Sequence, residues 1–391
     1  MGKSDDLTVQ AAAYLYGSSK FPQKEIAEVL GVSQPVVSRM LGRAREKGWL
    51  IQKVEFAEES FLPTQMKAIQ QRAFTFDLEG PLKRLSRDRG WPSPRAVSVF
   101  HSGSKSLLPS QLKQRSATFG RAAAANVLKA ILQSRIVGVA WGSTLASVID
   151  GLEALKLVPP LTPQPVRFVA TCGEPLGHDM SEVSSSFLAR RLDKIVNGRS
   201  ERYSSCLAGI AAVIPRKFIA KNEGETIQHF IESAKSYKKV FGARGSRGEH
   251  SLISQLDCFL TSVAADGRPW NMQKDEFIVT GGLDRDQLEA LVCGDVGGVL
   301  IPRPDLTPRQ QEELAEVRQM WTGIRRKDLE RCAQSSRQGR PGVLVVTFGR
   351  NKKRVLYEAT KMGLVNELII DHDLADELAQ ESEIRKFVYC G

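Results

Sequence analysis

The sequence predicts an α/β protein, with a small helical head followed by a larger domain built on a parallel sheet. Three observations carry this. The first 50 residues show helical apolar spacing broken by glycines. From residue 96 onward, short apolar runs alternate with windows of helical periodicity, the pattern of strand-helix-strand units. The 391 residues are 42% apolar and 25% charged, the usage of an ordinary globular chain of two or three domains.

In the head, Leu7, Ala11, Tyr14 and Leu15 fall at i, i+4, i+7 and i+8 and predict one inward face of a first helix. Gly17-Ser18-Ser19 breaks it. A second helix over Gln23–Leu30 turns Ile26, Ala27 and Leu30 to one side, and Gly31, free to adopt the left-handed conformation, stops it. Ser33 is a candidate N-cap for a third helix whose first turn tolerates Pro35. That helix turns Val37, Met40, Leu41 and Ala44 inward and Gln34, Ser38, Arg39 and Arg43 outward. Gly48 ends it, and Trp49-Leu50-Ile51 predicts the start of an extended segment.

Residues 57–94 read as a helical linker. Helices are expected around Gln65–Phe74 and Leu78–Arg87, and Gly90-Trp91-Pro92-Ser93-Pro94 marks a boundary. Beyond it, strands are predicted at Ala96–Phe100, Ile136–Trp141, Val166–Thr171, Cys258–Val263, Val343–Thr347 and Glu367–Ile370. Helices are predicted at Gln111–Leu132, Thr144–Leu155 and Lys352–Lys361. Pro302–Glu316 reads as an inserted arm outside the core. The domains are therefore 1–56, 57–94 and 95–391.

Composition narrows the function classes. The N-terminal stretch lacks the apolar core of a secretory signal, and no run nears the roughly 18 apolar residues of a membrane span. A soluble, cytoplasmic protein without a membrane partner is expected. Six cysteines stand at wide intervals with no C-x-x-C pair, so buried reduced thiols are expected, with no disulfide scaffold and no metal. The formal charge of +11 suits a polyanionic partner, yet residues 1–56 carry eight basic against six acidic residues, and arrangement has to decide.

The arrangement that decides is Ile26-Ala27-Glu28-Val29-Leu30-Gly31-Val32-Ser33 followed by Val36-Val37-Ser38-Arg39. A helix-turn-helix needs a small residue at the helix crossing, here Ala27, and a turn-permissive glycine four residues later, here Gly31. The next helix then offers its first polar residues to the major groove of double-stranded DNA. Ser33 and Ser38 suit phosphate or base contacts, Gln34 suits adenine, Arg39 suits guanine, and Arg43 suits the backbone, with Pro35 at the helix start. The bland alternative is a helical bundle with a solvated basic face.

A second signal is Val137 to Leu145, where a buried strand ends in Gly142-Ser143-Thr144 and passes into a helix. Backbone N–H groups, hydroxyls and a helix start converge there, as a phosphate would require. The same residues also make an ordinary strand-to-helix cap. Thr171-Cys172-Gly173-Glu174 follows a strand end, where ligands of open α/β sheets bind, or is a plain turn. His178 is a candidate acid or base, or a surface polar residue. In Cys293-Gly294-Asp295-Val296-Gly297-Gly298, Asp295 accepts sugar hydroxyls or is solvated in a turn. Lys352 reaches an anion or opens a basic helix. No Ser/His/Asp set or metal-ligand cluster emerges, which argues against a hydrolase or a metalloenzyme.

With these residues in hand, nearly the whole chain resembles the SorC family of bacterial sugar-responsive transcriptional regulators, sometimes grouped with DeoR-type proteins. Gln23–Gly48 resembles the family's helix-turn-helix, Val137–Leu145 its effector loop, and Ala290–Gly298 its glycine-aspartate segment. Lys352 together with Gly363-Leu364-Val365-Asn366-Glu367-Leu368-Ile369-Ile370-Asp371 resembles its closing segment. The resemblance implies an effector and oligomerisation domain with the fold of ribose-5-phosphate isomerase and glucosamine-6-phosphate deaminase. It also implies a carbohydrate or sugar-phosphate effector, no cofactor, no retained catalysis, and a homodimer or homotetramer on an inverted-repeat operator. Carried over, Gly142, Ser143 and Thr144 hold the phosphate or its equivalent, Gly173 lines the crevice, Asp295 faces sugar hydroxyls and Lys352 completes the anionic end. The chain departs from the family in Thr347-Phe348-Gly349, which replaces a smaller step, in the arm after Ile301 and in the longer stretch 57–76. With bulky Phe348 beside the expected pocket, the ligand is expected to be non-standard, or no longer a phosphate at all. Two rival readings are a sugar-phosphate isomerase or deaminase carrying a DNA-binding head, and a DNA-binding protein whose C-terminal domain only oligomerises.

Overall fold

The computed structural model describes residues 6–17, 21–50, 78–86, 93–100, 102, 109–176, 181–198, 203–207, 209–220, 223–242, 251–265 and 272–388. The chain divides into two compact units, Met1–Ile69 and Gln70–Gly391.

The smaller unit packs helices α1 (Asp6–Gly17), α2 (Gln23–Leu30) and α3 (Gln34–Glu46) around one core. Gly31 sits at φ 63°, and its N–H reaches back to the carbonyls of Ala27 and Glu28. This left-handed stop, close to free of strain only for glycine, turns the chain sharply between α2 and α3. Val37, Met40, Leu41 and Ala44 are buried against Ile26 and Ala27 as their spacing predicts. The face assigned to α1 was wrong. Val9, Ala12 and Ala13 are buried, whereas Leu7 is 69% and Tyr14 66% exposed. Alanines let α1 lie close to α3, which shifts the inward face from the predicted stripe, of which Leu15 still packs against this core. Trp49-Leu50 is also not extended. Both N–H groups donate to the Ala44 carbonyl, folding the chain back over the end of α3.

The larger unit holds a seven-stranded, fully parallel sheet in the order β1 (Ala96–Phe100), β10 (Glu367–Asp371), β9 (Gly342–Thr347), β5 (Cys258–Thr261), β2 (Ile136–Val139), β3 (Arg167–Ala170), β4 (Ser204–Ser205). The six predicted strands are present; β2, β3 and β5 end one or two residues earlier than predicted and β10 one residue later. A second, antiparallel sheet of β6 (Val263–Ala265), β7 (Val292–Val296) and β8 (Val299–Pro302) grows directly out of β5 through Ser262. Helices Pro109–Leu132 and Ser143–Ala154 lie against each other at glycine contacts. A Cβ on Gly120 would fall 2.2 Å from the Ser147 carbonyl oxygen. The described helix Glu79–Leu85 buries Leu82 in the same core as the sheet, so this part of the 57–94 stretch packs as part of the larger unit. The expected helix Gln65–Phe74 lies outside the described residues.

Pro302–Glu316 does not form an arm outside the core. Thr307 and Gln310 close a capping box that starts the helix Pro308–Met320, and Leu314, Val317 and Met320 are buried in a second core with Trp321, Phe277 and Trp141. The Gln/Glu-rich run is merely the solvated side of that helix.

Asn366 fastens β9 from within. Its Oδ1 accepts the Val343 N–H at 2.7 Å, while its Nδ2 donates to the Ala333 carbonyl and to Ser336 Oγ. Gly342, at φ 71°, leaves room for it, since a Cβ there would overlap Asn366 Oδ1. Asn366→Ala strips a buried N–H of its acceptor and should lower unfolding stability by about 2–3 kcal/mol. Urea denaturation checks this through a lower midpoint at unchanged slope.

Candidate functional site

In the head, Ser33, Gln34, Pro35, Ser38 and Arg39 are all exposed along the first turns of α3, on the side opposite its buried residues. Ser33 occupies the N-cap position, but its hydroxyl makes no capping bond. Arg43 is placed differently. Its Nη2 lies 3.1 Å from Asp6 Oδ1 while Lys47 Nζ lies 2.6 Å from Asp6 Oδ2, so α3 is tied to the start of α1 by one carboxylate between two cations. The Lys47 ammonium and the Arg43 charge hold the Asp6 carboxyl below the usual range. The exposed edge thus offers hydroxyls, an amide and a guanidinium at a helix start, with a second guanidinium held one turn on.

In the larger unit, parallel pairing sends the residues after β2, β3, β5, β9 and β10 to one edge of the sheet. After β2, Gly142 stands at φ 131° and begins the helix Ser143–Ala154. Its N–H is already engaged, donating to the Val183 carbonyl at 3.0 Å. Ser143 is exposed and Thr144 half-buried. After β3, Gly173 packs against backbone. A Cβ there would lie 2.3 Å from the Ile210 carbonyl oxygen, so this glycine permits a close chain crossing. Glu174, next to it, is pinned on both sides, its N–H on the Ile210 carbonyl and its carbonyl accepting from the Ala212 N–H.

Asp295 is no solvated turn residue. It is buried in β7, and its Oδ1 accepts the Gly298 N–H at 3.0 Å. Cys172 lies in the core shared with Trp141 and Trp321, whose rings meet edge-on at 5.7 Å. Burial pushes the Cys172 thiol far up, and the Glu174 and Asp295 carboxylates add to the rise. Lys352 ends a single 3-10 turn, Arg350–Lys352, and is half-buried. With β5 between β2 and β9, the loops that bear Gly142 and Lys352 leave the sheet roughly 10 Å apart, two strand spacings. Phe348, directly after β9 at that edge, packs its ring on buried Phe119 at 5.3 Å. His178 lies outside the described residues.

Sequence reasoning missed the polar cluster that holds the Lys352 turn. Asp371, fully buried at the end of β10, accepts the Gly349 N–H at 3.0 Å and the Leu374 N–H at 3.2 Å through Oδ1. Its Oδ2 accepts from Ser102 Oγ at 2.9 Å and Arg115 Nη2 at 3.0 Å, and Arg115 also reaches Asp373 Oδ2 at 2.7 Å. Arg350 and Lys353, on either side of Lys352, face Asp373, Glu377 and Glu381. Arg115 and Asp371 are 256 residues apart, and an arginine mid-helix carries no local signal that it is buried.

A solvent-open cavity of about 500 Å3 is lined by Pro215, Arg216, Lys217, Val279, Thr280, Gly281 and Gly282, none of them among the residues singled out from sequence. Among the described residues, no group of three or more His, Cys, Asp or Glu is placed to hold a metal ion.

No protein-family model matches the chain, and no curated protein does either. Solved structures do. The full-length sorbitol operon regulator SorC from Klebsiella pneumoniae is 18% identical, with 97% of this chain and 100% of that one covered at a TM-score of 0.52. A DeoR family transcriptional regulator from Listeria monocytogenes is 16% identical over 77% of this chain and 100% of that one, at 0.51. A probable sor operon regulator from Shigella flexneri is 14% identical over 78% and 98%, at 0.51. The chain therefore shares the fold of SorC- and DeoR-type regulators.

Asp371→Ala leaves Arg115 with one of its two carboxylates and two N–H groups without an acceptor. Breaking a buried pair on one side costs about 3–5 kcal/mol. Calorimetry should show a large fall in Tm, and Ser102→Ala, which removes one hydroxyl, a much smaller one.

Proposed function

We propose that this chain is a DNA-binding transcriptional regulator, cytoplasmic and without catalysis of its own, whose operator affinity is set by a carbohydrate or related effector in the larger unit. The observation that carries the reading is the head. A glycine-stopped helix, a sharp turn and a second helix with Gln34, Ser38 and Arg39 exposed at its start form the arrangement that enters a major groove. The fold shared with SorC- and DeoR-type regulators supports it, as does the sheet edge where ligands of α/β proteins bind. No helix among the described residues is long and apolar enough to cross a membrane.

The division of labour follows from the chemistry. Arg39 reads a guanine edge, Gln34 an adenine edge, and Ser33, Ser38 and Arg43 meet phosphates, with Pro35 setting the helix start. One head buries too little surface for specific binding, so a homodimer or homotetramer engages an inverted repeat. Gly142, Ser143, Thr144, Gly173, Asp295 and Lys352 frame the effector crevice. Effector binding favours one arrangement of subunits and so changes whether two heads reach both half-sites together.

Gel-shift titration on selected operator and on random duplex tests the head. Arg39→Ala should lose about 1–3 kcal/mol of preference for the operator. Arg43→Ala should instead weaken both duplexes alike and flatten the salt dependence by about one phosphate. An Arg39→Ala protein that still chooses operator as well as the parent does would contradict the assignment. In the same assay, Thr144→Val should keep DNA affinity and lose the response to effector, so that retained response would place the crevice elsewhere.

A further inference from the structure

The positive charge of this chain lies almost wholly outside the head. Met1–Ile69 carry nine basic and eight acidic residues, which leaves 46 basic against 36 acidic residues in Gln70–Gly391. Two of the head's cations, Arg43 and Lys47, already share the Asp6 carboxylate. Affinity for a nucleic acid comes largely from cations that neutralise phosphates, so the larger unit holds most of what a polyanion would meet.

Part of that charge gathers at the amino edge of the parallel sheet, opposite the edge where the effector is expected. At the starts of β9, β5, β2 and β3, four strands in a row, stand Arg340, Asp257, Arg135 and Arg167. Asp257 is buried. Its Oδ2 accepts the Arg135 backbone N–H at 2.8 Å and lies 3.4 Å from Arg135 Nε, while its Oδ1 lies 3.4 Å from Arg340 Nε. Arg167 donates its backbone N–H to the Arg135 carbonyl at 2.8 Å, and its exposed side chain has no ion pair among the described residues. Three guanidiniums thus stand against one carboxylate. Other acids of this edge are committed: Glu367 to Arg95, Glu153 to Arg191, and Asp193 to Asn197 and the Tyr203 N–H. Lys129, in the last turn of Pro109–Leu132, and Lys156, just past Ser143–Ala154, are exposed there too. The lysines complement the carbonyl ends of their helices. The three arginines lie on no helix, so that account does not cover them. At the opposite edge, Arg350 and Lys353 are balanced by Asp373, Glu377 and Glu381.

We propose that this amino edge is a second DNA contact, in which Arg135, Arg167 and Arg340, with Lys129 and Lys156, lie on the phosphate backbone of duplex that flanks the operator. This deepens the proposed function and rests on it. The row crosses three strand spacings, roughly 14 Å, or about four base-pair rises of one DNA strand. Guanidiniums on the edge of a sheet reach phosphates and enter no groove, so the contact adds affinity and salt dependence without sequence preference. Once a head holds its half-site, the tether keeps the larger unit at high effective concentration beside the flanking duplex, and a weak electrostatic contact suffices.

Fluorescence anisotropy of the full chain tests this on two duplexes, a selected operator and the same operator with about 20 base pairs of arbitrary sequence added on each side. Titrations run from about 50 to 200 mM salt. Arg167→Gln and Lys129→Gln are the edge variants, and both leave Asp257 its two arginines. Arg309→Gln, on the exposed side of the helix Pro308–Met320, removes the same charge elsewhere. The parent should bind the extended duplex more tightly at low salt and lose that advantage as salt rises. Each edge variant should lose about fivefold in affinity for the extended duplex at about 0.1 M salt, with a salt slope lower by about 0.9. Its affinity for the short duplex should not change, and Arg309→Gln should change neither. A parent that binds both duplexes alike overturns the inference. So does an Arg309→Gln protein that matches the edge variants, since net charge alone then accounts for the effect. Edge variants that weaken binding of a single-stranded RNA or of anionic vesicles, but not of the extended duplex, assign the surface to another polyanion and overturn it too. A parent that selects no operator is the separate outcome that removes the regulator reading. The same variants on random duplex then decide the edge contact, which fails if their salt slopes equal the parent's.

Discussion

Parallel pairing of seven strands is the constraint on which the rest of the larger unit depends. A parallel ladder forces each crossover to return behind the sheet, so the carboxyl ends of β2, β3, β5, β9 and β10 all open at one edge. Loops that are far apart in sequence become neighbours there without any specific attraction between them. The ladder alone does not hold them still. Asp371 does that for one side, taking the Gly349 N–H with one oxygen and Ser102 and Arg115 with the other. A buried carboxylate is tolerable here because each oxygen has donors, and removing the charged one, Arg115, would cost more than the pair contributes.

Ion pairs tie distant segments together within each unit. In the head, Asp6 shared between Arg43 and Lys47 locks α1 to α3 and leaves Arg39 exposed one turn earlier. Around the Lys352 turn, Arg350 and Lys353 face Asp373 and Glu377 of the helix His372–Ala379. Among the described residues, Glu174 Oε1, Ser205 Oγ, Thr347 Oγ1 and His372 Nδ1 are buried without a hydrogen-bond partner.

Much of the fold was legible because its signals are local. Gly31 with the apolar spacing on either side marks α2 and α3, and Val-, Ile- and Phe-rich runs mark the six main strands. What was missed depends on distant partners. β4 is two serines, which carry no apolar pattern, and β6 hides behind β5 because Ser262 merely kinks a continuous apolar run. The inner face of α1 consists largely of alanines, so the larger but exposed Leu7 and Tyr14 outweighed them. Thr307 and Gln310 spell a capping box, yet two flanking prolines and a polar run masked the helix that follows. At the candidate site, Gly142, Asp295 and Lys352 could be named from sequence. That Gly142 spends its N–H on Val183, or that Glu174 lacks a donor, depends on chain crossings no spacing reveals.

Genome-wide mapping of the DNA bound by this protein in its native host tests the central claim most directly. A ligand-controlled regulator should occupy a small number of discrete sites that share an inverted-repeat sequence, and growth on the inducing carbohydrate should change their occupancy. Uniform, sequence-independent occupancy, or none, would contradict the account.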